Sequence, residues 1–316
     1  MVPILSRACH RRSLVGLMLG SVMALLVTGC GAPNDSASAS GDNKTIVMTY
    51  SILGSLVKEA VGELAQVTVM IPNGSDPHEW EPSAKDIEKL NNADLIVRNG
   101  LGLEGGMQHA LDRAKDAGVA TFVASDHIDV RTVGDGEGLP TGDLDQAVGA
   151  SDPHLWMDPL TLKDVLIALG PVLLKRGIDA STGIANTVAG LEQLNADVSK
   201  ILSAVPDANR KLVTGHESLG YFAQRYGFKL VGAIIPSLTT QADVSAQELS
   251  RLAAKTRDQK VKAIFTEVGT PPQVAQAIGD ETGVKVVDLA AHNLASDGKY
   301  STFLIDIANR VAAALA

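Results

Sequence analysis

The chain has 316 residues, a formal net charge of −9, 45% hydrophobic residues and 20% charged ones. That length and apolar content are enough for two cored domains, and the negative balance argues against nucleic acid or an anionic lipid surface as partner. The only cysteines are Cys9 and Cys30, so no disulfide framework carries the fold and its core must do so.

The first thirty residues read as a targeting segment. Arg7, His10, Arg11 and Arg12 form a basic start, followed by the short apolar run "SLVGLMLGSVMALLV" at 13–27, too short for a comfortable membrane span. The run ends in "VTGC", which resembles a bacterial lipobox. That resemblance implies cleavage before Cys30 and a diacylglyceryl group on its sulfur, so that the chain sits lipid-anchored on the extracytoplasmic face of the cell membrane. The small, polar stretch 31–44 reads as a flexible tether.

From residue 45 short β-branched runs alternate with helical patterns. Strands are expected at 45–50, 66–71, 94–99 and 119–125, with helices at 55–64, 83–93 (Ser83 as N-cap) and 104–118. Residues 128–150 read as an exposed loop carrying Asp135, Glu137, Asp143 and Asp145 but no histidine. Two helices follow, at 160–177, interrupted at Gly170-Pro171, and at 179–205, with Leu191, Leu194, Val198 and Leu202 at helical spacing. The alternation then resumes, with strands at 211–215, 229–235, 262–266 and 284–290 and helices at 218–226, 245–258, 271–282 and 301–315. The expected fold is α/β: two parallel-sheet lobes, 45–177 and 206–316, joined by one long rigid helix at 178–205. Ligands of such sheets lie beyond the carboxyl ends of the strands.

The chain has seven histidines. His10 belongs to the targeting segment, His109 reads as a surface residue of a helix, and His127 has no repeated surroundings. The other four share one address at the carboxyl end of a strand or in a loop beyond it: His78, His154, His216 and His292. "SDPH" occurs twice, at 75–78 and 151–154, each time with Trp two residues further on. Pro77 and Pro153 fix φ just before a histidine and so stiffen the loop that presents it. Four imidazoles converging between two lobes would make a closed tetrahedral shell suited to zinc. Ligating histidines usually hand their other N–H to an acceptor, for which Asp76, Asp152, Asp158, Glu81, Glu217 and Glu267 are the candidates. Trp80 and Trp156 read as either water shields or core residues.

The wording of the motifs adds to this. "IPNGSDPHEWEPSAKDIEKLNNADLIVRNGLGLE" (71–104), "DPHLWMDP" (152–159), "VTGHESLGYFAQRYG" (213–227) and "VKAIFTEVGTPPQVAQAIGDETGVKVVDL" (261–289) resemble, in order, the signatures of the metal-binding solute receptors of ABC importers for zinc, manganese or iron. The resemblance implies an interlobe metal site with His78, His154 and His216 on three ligand positions, the third being His in zinc-type members and Glu in many manganese-type ones. The fourth position is usually Asp; here His292 stands there, with Asp288 and Asp297 as alternatives. Histidine in place of carboxylate favours zinc over manganese as the transported ion. The implied partners are a membrane permease and its cytoplasmic ATPase, the implied state a monomer, and the implied role capture without catalysis, with surface adhesion a further role known in the family.

Two enzyme readings compete. "GLGLEG" (100–105) matches a dinucleotide fingerprint after a strand, with Asp126 at the next strand's end. A zinc hydrolase would need an open coordination position and a general base, which a fourth protein ligand would close off.

Overall fold

The computed structural model describes residues 44–135, 137 and 148–316. The expected signal, Cys30 and the tether up to residue 43 lie outside the described residues, as do Asp143 and Asp145. Among the described residues no helix is long and apolar enough to cross a membrane.

Two four-stranded sheets organise the chain. In the first, β1 (Thr45–Tyr50), β2 (Gln66–Ile71), β3 (Leu95–Arg98) and β4 (Thr121–Val123) lie in the order β2-β1-β3-β4. In the second, β5 (Lys211–Thr214), β6 (Lys229–Ala233), β7 (Ala263–Thr266) and β8 (Lys285–Asp288) repeat that pattern as β6-β5-β7-β8. All six strand pairings are parallel. Parallel strands are covered on both faces, which is why "TIVMTY" and "LIVR" read as apolar runs without alternation; Ile46 through Tyr50 are all buried.

Helices cover the first sheet: α1 (Ser51–Val61), α2 (Ala84–Asn91) and α3 (Gln108–Asp116). Ser83 starts α2 as expected. Its hydroxyl accepts from the Asp86 N–H while the Asp86 carboxylate accepts from the Ser83 N–H, a reciprocal cap. Two longer helices follow, α4 (Pro159–Leu174) and α5 (Ser181–Leu202). The expected interruption at Gly170-Pro171 does not occur, and α4 runs through Pro171. Proline removes the N–H that would have bonded to the Ile167 carbonyl, but Ile167 and Pro171 both face solvent, where water satisfies that carbonyl.

Along α5, Ile184, Thr187, Leu191, Leu194, Val198 and Leu202 form one buried stripe. The helix packs against α1, α4 and the C-terminal α9 (Tyr300–Leu315). Its contact with α1 is backbone-close: a Cβ at Gly183 would fall 1.9 Å from the Ala60 carbonyl oxygen.

The second sheet has α6 (Gly220–Tyr226), α7 (Ala246–Asp258) and α8 (Pro272–Thr282) around it. Its strands alternate between two cores, because successive strand residues point to opposite faces. Leu212, Ala263 and Phe265 join the large core that also holds the first sheet, α4, α5 and α9. Val213 and Ile264 join a smaller one with Leu252, Ala253, Ala275 and Ile278 of α7 and α8.

Candidate metal centre

In both sheets the loops at the strands' carboxyl ends carry the chemistry. His78 lies in the loop after β2, His216 two residues beyond β5 and His292 four beyond β8. Ala290 turns the chain out of β8 with φ of 50°, a left-handed conformation that costs a non-glycine residue about 1–2 kcal/mol. His154 is held by the loop's own proline: the Asn99 amide, just past β3, donates to the Pro153 carbonyl at 2.8 Å. The four rings thus come from both sheets and meet.

One ring nitrogen from each of His78, His154 and His216 lies within 4.8 Å of the others. His154 Nε2 and His216 Nε2 are 3.0 Å apart, a spacing at which two imidazoles either share a proton or face a common cation. The His292 ring stacks 5.6 Å from that of His216 and stands 6.4 Å from that of His154. His154, His216 and His292 are 0% exposed and His78 is 3% exposed. The Nε2 atoms of His78 and His292 are buried with no hydrogen-bond partner, a costly condition unless an ion accepts their lone pairs. Burial, followed by the neighbouring rings, holds His78 and His292 well below the usual imidazole range. Burial, the His216 ring and the Arg131 guanidinium do the same to His154. Such a shift favours the neutral imidazole, the form whose ring lone pair a Lewis acid can take.

One carboxylate fixes a ring and a second holds the backbone of another. Asp152 Oδ1 accepts both the backbone N–H and the Nδ1–H of His154, each at 2.9 Å, which leaves Nε2 as the ligating atom. Glu267 Oε1 lies 2.7 Å from His216 Nδ1 and accepts the His216 backbone N–H at 2.9 Å. The ring contact is close but off the hydrogen-bond direction, since His216 Nδ1 has no aligned partner. Burial pushes the Asp152 carboxyl up to about 6, against the pull of Arg131. His292 is held differently: its Nδ1 meets the Tyr50 hydroxyl at 3.0 Å. With Nδ1–H donating to that oxygen, Nε2 is again the free nitrogen.

The other expected acceptors serve elsewhere. Asp76 takes the His78 backbone N–H at 2.9 Å rather than its ring, and its second oxygen accepts from Thr240 Oγ1 at 2.6 Å. Glu217 is buried beside His216, pushed up to about 7 by burial, with its Oε1 unpartnered. Asp158 does not reach a ring: it caps α4 through the Leu160 N–H and forms a two-toothed pair with Arg225 at 2.9 and 2.6 Å. Glu81 is exposed, outside the cluster. Of the two tryptophans only Trp156 borders the rings, 5.2 Å from His154 and 5.5 Å from His292; Trp80 packs on the core. Asp288 and Asp297 are exposed and spend their carboxylates on local N–H and hydroxyl groups. His109 and His127 are also exposed, the latter stacked on Phe122.

The fingerprint at 100–105 is a turn closed by its own acid. Buried Glu104 accepts the N–H groups of Asn99 at 2.6 Å and Gly100 at 3.2 Å, and the Thr49 hydroxyl at 2.7 Å. The donors a pyrophosphate would need are already taken.

Sequence reading missed Tyr50, Asn99, Arg131 and Thr240. Tyr50 ends β1 and Asn99 follows β3, so the strand-end rule would have reached both; Arg131 and Thr240 act through contacts that no local spacing encodes. Replacing Tyr50 by Phe should weaken metal binding about tenfold, as loss of a ring-orienting partner generally does, with little change in melting temperature. A chelator-competition titration measures it.

Two α/β lobes around a buried nitrogen cluster define an ion-binding receptor architecture. The chain belongs to the family described as zinc-uptake complex component A, periplasmic, whose profile matches residues 46–314. Among curated relatives, the manganese-binding lipoprotein MntA of Halalkalibacterium halodurans is 28% identical over 269 residues, 84% of each chain. The high-affinity zinc uptake system protein ZnuA of Bacillus subtilis is 28% identical over 276 residues, covering 85% of this chain and 86% of that protein. The solved periplasmic zinc-binding protein TroA of Treponema pallidum superposes with a TM-score of 0.74 at 27% identity, covering 87% of this chain and 99% of its own.

Proposed function

We propose that this chain is an extracytoplasmic zinc receptor, lipid-anchored through Cys30, that delivers its ion to a membrane permease powered by a cytoplasmic ATPase. His78, His154, His216 and His292 displace the waters of the ion and hold it between the lobes, and α5 is the rigid spacer joining them. The role is capture and hand-over, with no bond made or broken in the cargo.

One observation carries the choice of ion. The buried cluster brings ring nitrogens of His78, His154 and His216 within 4.8 Å of one another, with the His292 ring stacked on His216, and among the described residues no carboxylate oxygen joins that group. Imidazole suits zinc, whereas manganese favours oxygen. Manganese is the second reading, supported by the manganese-binding relative. Competition titration of the purified protein with both ions decides: zinc should win by at least about a hundredfold, and comparable affinities would overturn the zinc assignment.

A further inference from the structure

Behind Asp152, on the carboxylate oxygen that does not meet His154, stands Arg131. Arg131 is buried, 5% exposed at its side chain, and is the hub of a network that the ligand set does not include. Its Nη1 donates to Asp152 Oδ2 at 3.0 Å, on the carboxylate whose other oxygen holds His154. Its Nη2 donates to Glu137 Oε2, which also accepts the Gly134 N–H at 3.0 Å. The chain on either side is clipped in place: Asp152 N donates to the Arg131 carbonyl at 2.9 Å, Val133 N to Ala150 O at 2.8 Å and Gly149 N to Val133 O at 2.9 Å. The second lobe closes over the network. The Tyr221 hydroxyl accepts the Arg131 backbone N–H at 3.0 Å. A Cβ at Gly220 would fall 2.1 Å from Asp152 Oδ2 and 2.4 Å from Arg131 Nη1, so only glycine lets α6 come this near.

A guanidinium is a planar fork with fixed donor directions, so its two arms fix Glu137 and Asp152 relative to each other. We propose that Arg131 is a positioning residue for metal capture: it couples the seating of Glu137, at the mouth of the loop, to the orientation of the His154 ring through Asp152. The proposal rests on the zinc-receptor reading. Glu137 touches no ligand, yet its carboxylate sets ion affinity; a purely structural Arg131 would not produce that.

The test is zinc affinity by chelator competition on the purified protein, together with the visible spectrum of the cobalt(II)-loaded form, which reports the geometry of the ligand shell. Glu137→Gln should bind zinc about tenfold more weakly than wild type and alter the cobalt spectrum, with an unchanged melting temperature. Arg131→Met should lose at least as much, and Arg131→Lys, a point charge without the fork, should recover only part. The double variant should match Arg131→Met within about twofold, because both substitutions break one chain of contacts. Should Arg131→Met fail to fold, Glu137→Gln alone decides, its side chain being on the loop. A Glu137→Gln protein with wild-type affinity and spectrum overturns the proposal while leaving the receptor intact. A wild-type chain that binds no zinc overturns the receptor reading itself.

Discussion

Alanine in place of His216 lowers zinc affinity by about two to three orders of magnitude. A protein-bound zinc contributes roughly 10–16 kcal/mol through four ligands, about 3 kcal/mol each, and every 1.4 kcal/mol is tenfold. His216 stands at the centre of the cluster, 3.0 Å from His154 by ring nitrogen and stacked on His292, so its loss also loosens its neighbours. Alanine at His154 should cost as much. Alanine at His109, exposed on α3, should leave affinity unchanged. Chelator competition measures all three, and a His216→Ala protein within tenfold of wild type would show that the ion is bound elsewhere.

Acid acts on the same rings from the other direction. The metal-free protein is expected to lose stability as pH falls below about 6.5, the ordinary imidazole value. His78, His154 and His292 are held well below that value in the folded state, chiefly by burial. Under mild acid the unfolded chain therefore binds protons that the folded chain refuses, and stability rises with pH wherever the unfolded state holds more protons. The stabilisation is complete above about pH 6.5 and drains away below it. Its slope is at most about 1.4 kcal/mol per pH unit for each ring. The Asp152 and Glu217 carboxyls, pushed up by burial to about 6 and about 7, take up protons in the fold over the same range and offset up to two of the three. Bound zinc is lost over the same range, since protons and ion compete for the same lone pairs. Denaturant midpoints of metal-free protein at pH 7 and 5.5, at constant slope, measure the effect. A stability that rises on going from pH 7 to 5.5 would show that the carboxyls outweigh the rings and that the rings are hydrated in the metal-free protein.

The fold was legible because its signals are local. Parallel strands advertise themselves as β-branched runs, Ser83 announces α2, and the Leu191–Leu202 spacing announces the buried face of α5. Pro171 misled because a proline interrupts a helix only where the carbonyl it frees is dry, and Ile167 and Pro171 lie on the exposed face of α4. At the site, one topological rule, that α/β sheets use their strands' carboxyl ends, narrowed the choice of histidines. His127 also stands four residues beyond β4 and is exposed, so the motif wording was needed to set the four apart. The carboxylates could not be sorted that way. Asp152 and Asp158 lie six residues apart in one motif, yet one orients a ring and the other caps a helix and clasps Arg225. Which does which depends on the partner that folding brings: Arg131 for the first, Arg225 of the opposite lobe for the second.

Hydrogen bonds cross between the lobes all around the cluster. Asn73 meets Asn293 and Leu294, Trp156 meets Ala291 and Tyr300, and Asp76 meets Thr240. Beneath this seam the four rings are buried, so water reaches them little while the seam is closed. How tightly the cargo is gripped and how quickly it is surrendered are then governed by separate parts of the molecule. On the receptor reading the nitrogen cluster governs the first and the seam the second, so a partner that prises the halves apart would release the ion without having to weaken its ligands.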